Sequence, residues 1–331
     1  MRITRDFLIR TARETVQKRT LSEPDLVAAY LTGSLLREDP FLGGAADVDL
    51  VLVHAGAPRA GREIVPLTAE VHIDIQHRRR DDYARPRELR MDPRLGPELY
   101  NPMWLYESQH FLEFVQAGVR DKFDEPANLL ERSRRNATQA RELWSALQTS
   151  QENGPALMLS YLRAVELAAD AIAVLNGGPL AERRFLLDFP IRAEAAGAPG
   201  LGGELLRMLG GPMATGTVLE DLLPEWEKAF LDAAGRPKVE ARIHPARLGY
   251  YMLSFEALLA SESRRAILWP LLQTWTLAAA VLPATKQAKW LAACEALGLA
   301  GVGFYERLES LDGLLDTIEE MLEELAAKYG L

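Results

Sequence analysis

Sulfur chemistry is almost absent from this chain. Of its 331 residues only Cys294 is a cysteine, so no disulfide can form within it, and a reducing compartment fits. Long apolar runs are absent too. The most apolar stretch, 266–282, contains Pro270, Gln273, Thr274 and Thr276, and it falls short of the roughly 20 residues a bilayer span needs. It is expected to be a buried helix, interrupted near Pro270. The first 19 residues carry charges every few positions and have no apolar core of leader length. Basic charge is not in excess: 38 Lys and Arg stand against 47 Asp and Glu, for a net charge of -9. That argues against a general nucleic-acid coat, which needs clustered Lys and Arg. The histidines, at 54, 72, 77, 110 and 244, show no metal-ligand spacing. No nucleophile elbow, Walker loop or dinucleotide fingerprint occurs, and Gly200-Leu201-Gly202-Gly203 lacks the preceding strand that such a fingerprint requires. These absences lead to the expectation of a cytoplasmic protein with no membrane partner.

What is present is an ordinary globular composition, 48% hydrophobic and 26% charged, in a chain long enough for about two domains. Residues 5–19 read as an amphipathic helix, with Thr4 as N-cap and Phe7, Leu8, Ala12 and Val16 on one stripe. Pro24-Asp25 breaks it. Residues 26–32 read as a strand, and Gly33-Ser34 opens a turn or a helix start. The breakers Asp39-Pro40 and Gly43-Gly44 make 37–46 a loop. Residues 48–53 form a second strand, 55–62 a linker, and 69–76 a third strand. In that third strand Val71, Ile73 and Ile75 alternate with His72, Asp74 and Gln76. A charged segment spans 77–90, and a small strand or turn followed by a helix spans 105–119. Beyond 126 the pattern is helical throughout: 127–149, 156–175, 181–196, 204–209, 218–234, 248–261, 264–282, 285–297 and 303–329. The expected fold class is α+β, with a small mixed-sheet domain over 1–125 and an all-α helical-bundle domain over 126–331.

The chemistry concentrates in 28–54 and 71–76. Side chains alternate along a strand, so Asp47 and Asp49 face the same way. Two carboxylates so close repel, and burying them is costly without compensation. A divalent cation supplies that compensation. Hard oxygen donors suit Mg²⁺, which takes one or two carboxylates together with substrate phosphates. Asp74, on the polar face of a neighbouring strand, can supply a third metal ligand or act as a base. Two ions bridged by such aspartates would stabilise an in-line displacement at phosphorus. Gly33 permits close backbone approach, and the Ser34 hydroxyl can contact a phosphate oxygen. A helix start there would add N–H groups to the anion site.

Leu31-Thr32-Gly33-Ser34, then Asp47-Val48-Asp49-Leu50, then Ile73-Asp74-Ile75 together resemble the nucleotidyltransferase superfamily that includes DNA polymerase beta. With a helical domain following, the architecture is similar to kanamycin and other aminoglycoside nucleotidyltransferases and to stand-alone nucleotidyltransferase proteins. The resemblance implies a Mg²⁺-dependent enzyme with two ions. It would bind ATP or another NTP through Gly33, Ser34 and Arg37, transfer a nucleoside monophosphate to an acceptor hydroxyl, and release pyrophosphate. Arg37 is the only counterpart of the Arg-Gly pair that small relatives carry, and Ala46 stands where many relatives have Ser. In kanamycin-type relatives the helical domain contributes a carboxylate base, which points to Glu142, with Glu166 as a second candidate. Arg78, Arg79 and Arg80 could reach a triphosphate or pair with Asp81 and Asp82. Glu319, Glu320, Glu323 and Glu324 read as a solvated helix face. By analogy the first acceptor is an aminoglycoside-like small molecule. Transfer to a tRNA 3′ end or to a protein of toxin–antitoxin type, and a non-catalytic nucleotide-binding regulator, stand as alternatives. Nucleic acid is a partner the acidic balance does not favour, and a homodimer is left open.

Overall fold

The computed structural model describes residues 3–58, 60–237 and 239–331. The chain divides into two compact units: residues up to Asp124 together with Ala246–Ser254, and Glu125–Pro245 together with Phe255–Leu331. The fold is α+β, with a mixed sheet near the N-terminus and a helical region after it. Among the described residues no helix is long and apolar enough to cross a membrane.

The first unit is built on a five-stranded sheet of order β3-β4-β2-β1-β5. Its strands are β1 (Leu26–Thr32), β2 (Val48–His54), β3 (Arg62–Pro66), β4 (His72–Arg79) and β5 (Met103–Glu107). β2 and β4 run parallel, with Asp49 opposite Asp74, and the other neighbours are antiparallel. Helix α1 (Arg5–Ser22) starts where Thr4 accepts a hydrogen bond from the Phe7 N–H, satisfying one of the orphan donors of its first turn. Its Leu8, Ala12 and Val16 bury against one face of the sheet, alongside Val48, Leu50, Leu52, Ile73 and Ile75. Each fully buried aliphatic side chain of this kind contributes about 1.5–3 kcal/mol. The other face carries Tyr30, Val51 and Val53. Short helices α2 (Pro86–Leu89) and α3 (Leu95–Tyr100) and helix α4 (Phe111–Arg120) complete this unit's connections. Leu99, Leu112, Val115 and Val119 cover that second face. The alternation of odd and even positions along β2 therefore assigns Asp49 to the same face as Val51 and Val53, away from α1.

Two expectations change here. The expected linker 55–62 loses its last residue, because Arg62 opens β3, a five-residue edge strand; Arg59 within it lies outside the described residues. The third strand continues through the charged residues to Arg79. Parallel pairing of β2 with β4 extends to His54 opposite Arg79 and carries the strand past the end of its alternating apolar pattern.

The second unit contains α5 (Pro126–Thr149), α6 (Gly154–Ala173), α7 (Phe185–Ala195), α8 (Leu201–Met208) and α9 (Gly216–Ala234). It also contains α11 (Leu268–Val281), α12 (Ala284–Ala296) and α13 (Val302–Tyr329). Helix α10 (Leu248–Leu259) crosses the division between the units: its residues up to Ser254 belong to the first. Pro270 sits in the first turn of α11, where a missing N–H costs nothing, so the helix starts at Leu268 and is not interrupted. Buried Thr274 and Thr276 in that helix accept hydrogen bonds from the indole N–H groups of Trp226 and Trp290, which explains hydroxyls in so apolar a segment. The acidic face of α13 is not simply solvated. Arg141 on α5 pairs with Asp312, Asp316 and Glu319, and Arg134 pairs with Glu323.

Candidate active site

The site lies in the first unit, at the start of β2 and β4. β1 ends at Thr32, opposite Asp49, and the chain leaves it through a short 3-10 turn, Gly33–Leu36. Gly33 has φ of +72°, and a Cβ there would lie 1.8 Å from Asp49 Oδ2. Glycine is therefore required twice over, for the left-handed backbone and for the close passage of the carboxylate. The Ser34 hydroxyl donates to Asp47 Oδ1 at 3.3 Å. Arg37 follows the turn, exposed, with its backbone N–H bonded to the Ser34 carbonyl at 3.0 Å. Within the loop that returns to β2, Gly43 has φ of +63°, and a Cβ there would lie 2.0 Å from the Leu253 carbonyl oxygen. The loop backbone thus lies directly against the segment Ala246–Ser254.

That segment supplies residues that the sequence reading missed. The Tyr250 hydroxyl donates to Asp47 Oδ2 at 2.8 Å. Arg247, 3% exposed, donates from Nη1 to Asp74 Oδ2 at 2.8 Å, and its Nη2 lies 3.9 Å from Asp47 Oδ2. A third missed residue, Arg62 at the head of β3, donates from Nε to Asp74 Oδ1 at 2.7 Å and from Nη2 to Asp74 Oδ2 at 2.5 Å. His72, the expected cleft neighbour of Asp74, packs edge-on against the Tyr250 ring at 5.0 Å between centroids.

The three aspartates are thus brought to one place but are not equivalent. Asp74 is fully buried and both its oxygens are engaged by guanidinium groups. Asp47 is buried and accepts from two hydroxyls. Asp49 is partly exposed, and no hydrogen bond or ion pair reaches its carboxylate among the described residues. Burial, and after it the carboxylates of Asp47 and Asp74, push the Asp49 carboxyl well above the usual aspartate range, with Arg247 and Arg62 pulling the other way. A carboxylate crowded by like charge and left without a donor is what a cation would relieve. The pair Asp47 and Asp49 therefore fits a divalent ion. Asp74 fits one when Arg62, which bonds both of its oxygens, turns away from it.

Arg78 lies on the same face of the sheet as Asp49 and Asp74 but further along β4, where it is held: it donates to Glu98 at 2.7 and 2.9 Å and to the Tyr30 hydroxyl at 3.0 Å. Arg79 lies 3.7 Å from Asp82, and Arg80 stacks over the Phe111 ring. Glu142 is an exposed residue of α5 in the second unit, and Glu166 pairs with Arg163 on α6.

No family model matches the chain, and no curated protein matches it. Among solved structures it is similar to a nucleotidyltransferase-like protein from Exiguobacterium sibiricum, with 11% identity, a TM-score of 0.29, and 94% of this chain and 91% of that one covered.

Proposed function

We propose that this chain is a divalent-metal-dependent nucleotidyltransferase, moving a nucleoside monophosphate from an NTP, in the first instance ATP with Mg²⁺, to an acceptor hydroxyl. The observation that carries the proposal is the unpaired carboxylate of Asp49 beside Asp47, passing against the Gly33 backbone at the mouth of the turn. In this reading Asp47 and Asp49 hold the metal, which when bound would polarise the transferred phosphoryl group and offset its charge. The Tyr250 and Ser34 hydroxyls fix the Asp47 carboxylate, so that its lone pairs keep one direction.

Arg62 plays a double part in this reading. Without nucleotide it and Arg247 neutralise Asp74 in a buried place where an unpaired carboxylate would be costly. A triphosphate offers guanidinium groups better partners, since fork-like donors match phosphate oxygens two at a time. Arg62 moving onto the phosphates frees Oδ1 of Asp74, which then becomes available as a third ligand or as the base for the acceptor hydroxyl, while Arg247 keeps its bond to Oδ2. Gly33, Ser34 and Arg37 line the turn beside which the phosphates would lie.

The acceptor is proposed to be a small hydroxylated molecule, cationic in line with the net charge of -9. The test is incubation with α-labelled NTPs and Mg²⁺ against panels of aminoglycosides, tRNA and proteins, with pyrophosphate release as the second readout. Label transfer to one class, lost in Asp49→Asn, supports the proposal and names the acceptor. Pyrophosphate release that is the same in Asp47→Asn and Asp49→Asn removes these residues from the chemistry.

A further inference from the structure

We propose that Glu23, His54 and His77 form a second metal site, separate from the aspartates, that takes a borderline divalent ion of the Zn²⁺ class. In sequence the two histidines are far apart and show no ligand spacing. The parallel pairing of β2 with β4 places His77 opposite Leu52, one step diagonally from His54 on the same face. Leu50 and Leu52 belong to the α1 side of the sheet, whereas Asp49 points to the other side. His54 also lies five residues further along β2 than Asp49, about 16 Å at the usual strand rise. The cluster thus occupies the opposite face and the opposite end of these strands. Glu23 reaches it from the residue that caps the C-terminus of α1.

The geometry is that of ligands sharing a point. His54 Nε2 and His77 Nδ1 lie 2.9 Å apart, and Glu23 Oε2 lies 4.0 Å from His54 Nε2. One ligand atom from each of the three falls within 4.8 Å of the others. Two imidazole nitrogens bound to one zinc at about 2.0–2.1 Å, subtending an angle between square and tetrahedral, are about 2.9–3.4 Å apart. His54 is buried and His77 is half-buried, with side chains 4% and 8% exposed.

The other ring nitrogens supply an independent argument. His54 Nδ1 faces Asp25 Oδ2 at 3.4 Å, and His77 Nε2 faces Glu63 Oε2 at 3.6 Å. Glu63 is itself fixed by Arg19 Nη2, at 2.7 Å to each oxygen. Each carboxylate favours an N–H on the nitrogen it faces. In neutral imidazoles that leaves a bare lone pair on both nitrogens that meet at 2.9 Å. Two lone pairs at that distance repel, and a cation between them turns the repulsion into two bonds. Carboxylates behind metal-bound histidines serve this orienting purpose generally. Two nitrogens and one carboxylate oxygen, with a position left for water, match the donor preferences of zinc and not those of Mg²⁺.

The test is titration of the chelator-treated full chain with Co²⁺, read by the visible bands of the tetrahedral ion, followed by displacement with Zn²⁺. The expected result is one equivalent bound, insensitive to a large excess of Mg²⁺ and unchanged in Asp49→Asn. His54→Gln and His77→Gln are expected to weaken Zn²⁺ binding by at least about tenfold, and Asp25→Asn and Glu63→Gln by about tenfold. If circular dichroism shows the histidine variants unfolded, Glu23→Gln at the half-exposed edge decides, with at least about tenfold loss expected on the same basis. Absence of the Co²⁺ bands, binding unchanged in Glu23→Gln or in folded histidine variants, or bands lost in Asp49→Asn would each overturn the proposal.

Discussion

Replacing Asp49 by Asn should make the metal-free protein more stable while it removes a ligand of the proposed metal site. The perturbation keeps the shape of the side chain, so the close passage against Gly33 is preserved, and it removes one negative charge. In a sheet Asp74 sits on the neighbouring strand at about 4.8 Å between backbones, and Asp47, just before β2, lies up to about 6.6 Å back along the chain. Carboxylates about 5.5 Å apart at an effective dielectric of about 20 repel by about 3 kcal/mol each. Arg247 and Arg62 offset much of this, and partial exposure of Asp49 screens more, leaving about 1–2 kcal/mol of net strain. The sign follows from linkage. A carboxyl whose pKa is raised by folding contributes stability that is fully present below its unfolded pKa and is lost as pH rises through the folded one. Asn has nothing to lose, so at neutral pH the variant should melt about 2–8 °C above wild type in chelator-treated buffer, at about 2–4 °C per kcal/mol. The advantage should shrink as the pH falls towards that of an ordinary aspartate. Adding Mg²⁺ should raise the wild-type midpoint and leave the variant unmoved. The assay is thermal unfolding followed by circular dichroism. A lowered midpoint in the metal-free variant, or an advantage that persists unchanged at acid pH, would refute the reasoning.

Gly33→Ala should cost at least about 2 kcal/mol in urea unfolding, because the left-handed backbone and a Cβ 1.8 Å from Asp49 Oδ2 both resist it. Arg247→Ala leaves the buried Asp74 with one guanidinium instead of two, and a loss of about 3 kcal/mol is expected on the same measurement, less if Arg62 compensates. Burial pushes the Cys294 thiol up to about 12, so a maleimide at neutral pH should leave the native protein unlabelled and react only on unfolding, as mass spectrometry would show.

The parts of this molecule that are legible in sequence are those whose signal is local. β1 begins and ends where its apolar run does, and the Thr4 cap and the α1 stripe follow from adjacent residues. Alternation puts Asp47 and Asp49 on one side and Asp74 on the polar face of its own strand, and the parallel register of β2 with β4 then sets Asp74 opposite Asp49. β3 escaped because five residues at a sheet edge, exposed at both ends, leave no clean alternation. Arg247 and Tyr250 escaped for a different reason: they meet Asp74 and Asp47 across 173 and 203 residues of sequence. Their own neighbourhood reads as the start of an ordinary helix, and only a charged residue at the head of so apolar a segment hinted at a partner. The His54–His77 contact is hidden in the same way, because it depends on the register of two parallel strands.

The central claim is that Asp47 and Asp49 bind a nucleotide through a divalent ion. Isothermal titration of the full chain with ATP, with and without Mg²⁺, tests it most directly. The account predicts binding that requires Mg²⁺ and that weakens at least about tenfold in Asp49→Asn, a loss of about 1.4 kcal/mol or more. Binding of equal strength without the metal, or unaltered in Asp49→Asn, would contradict it.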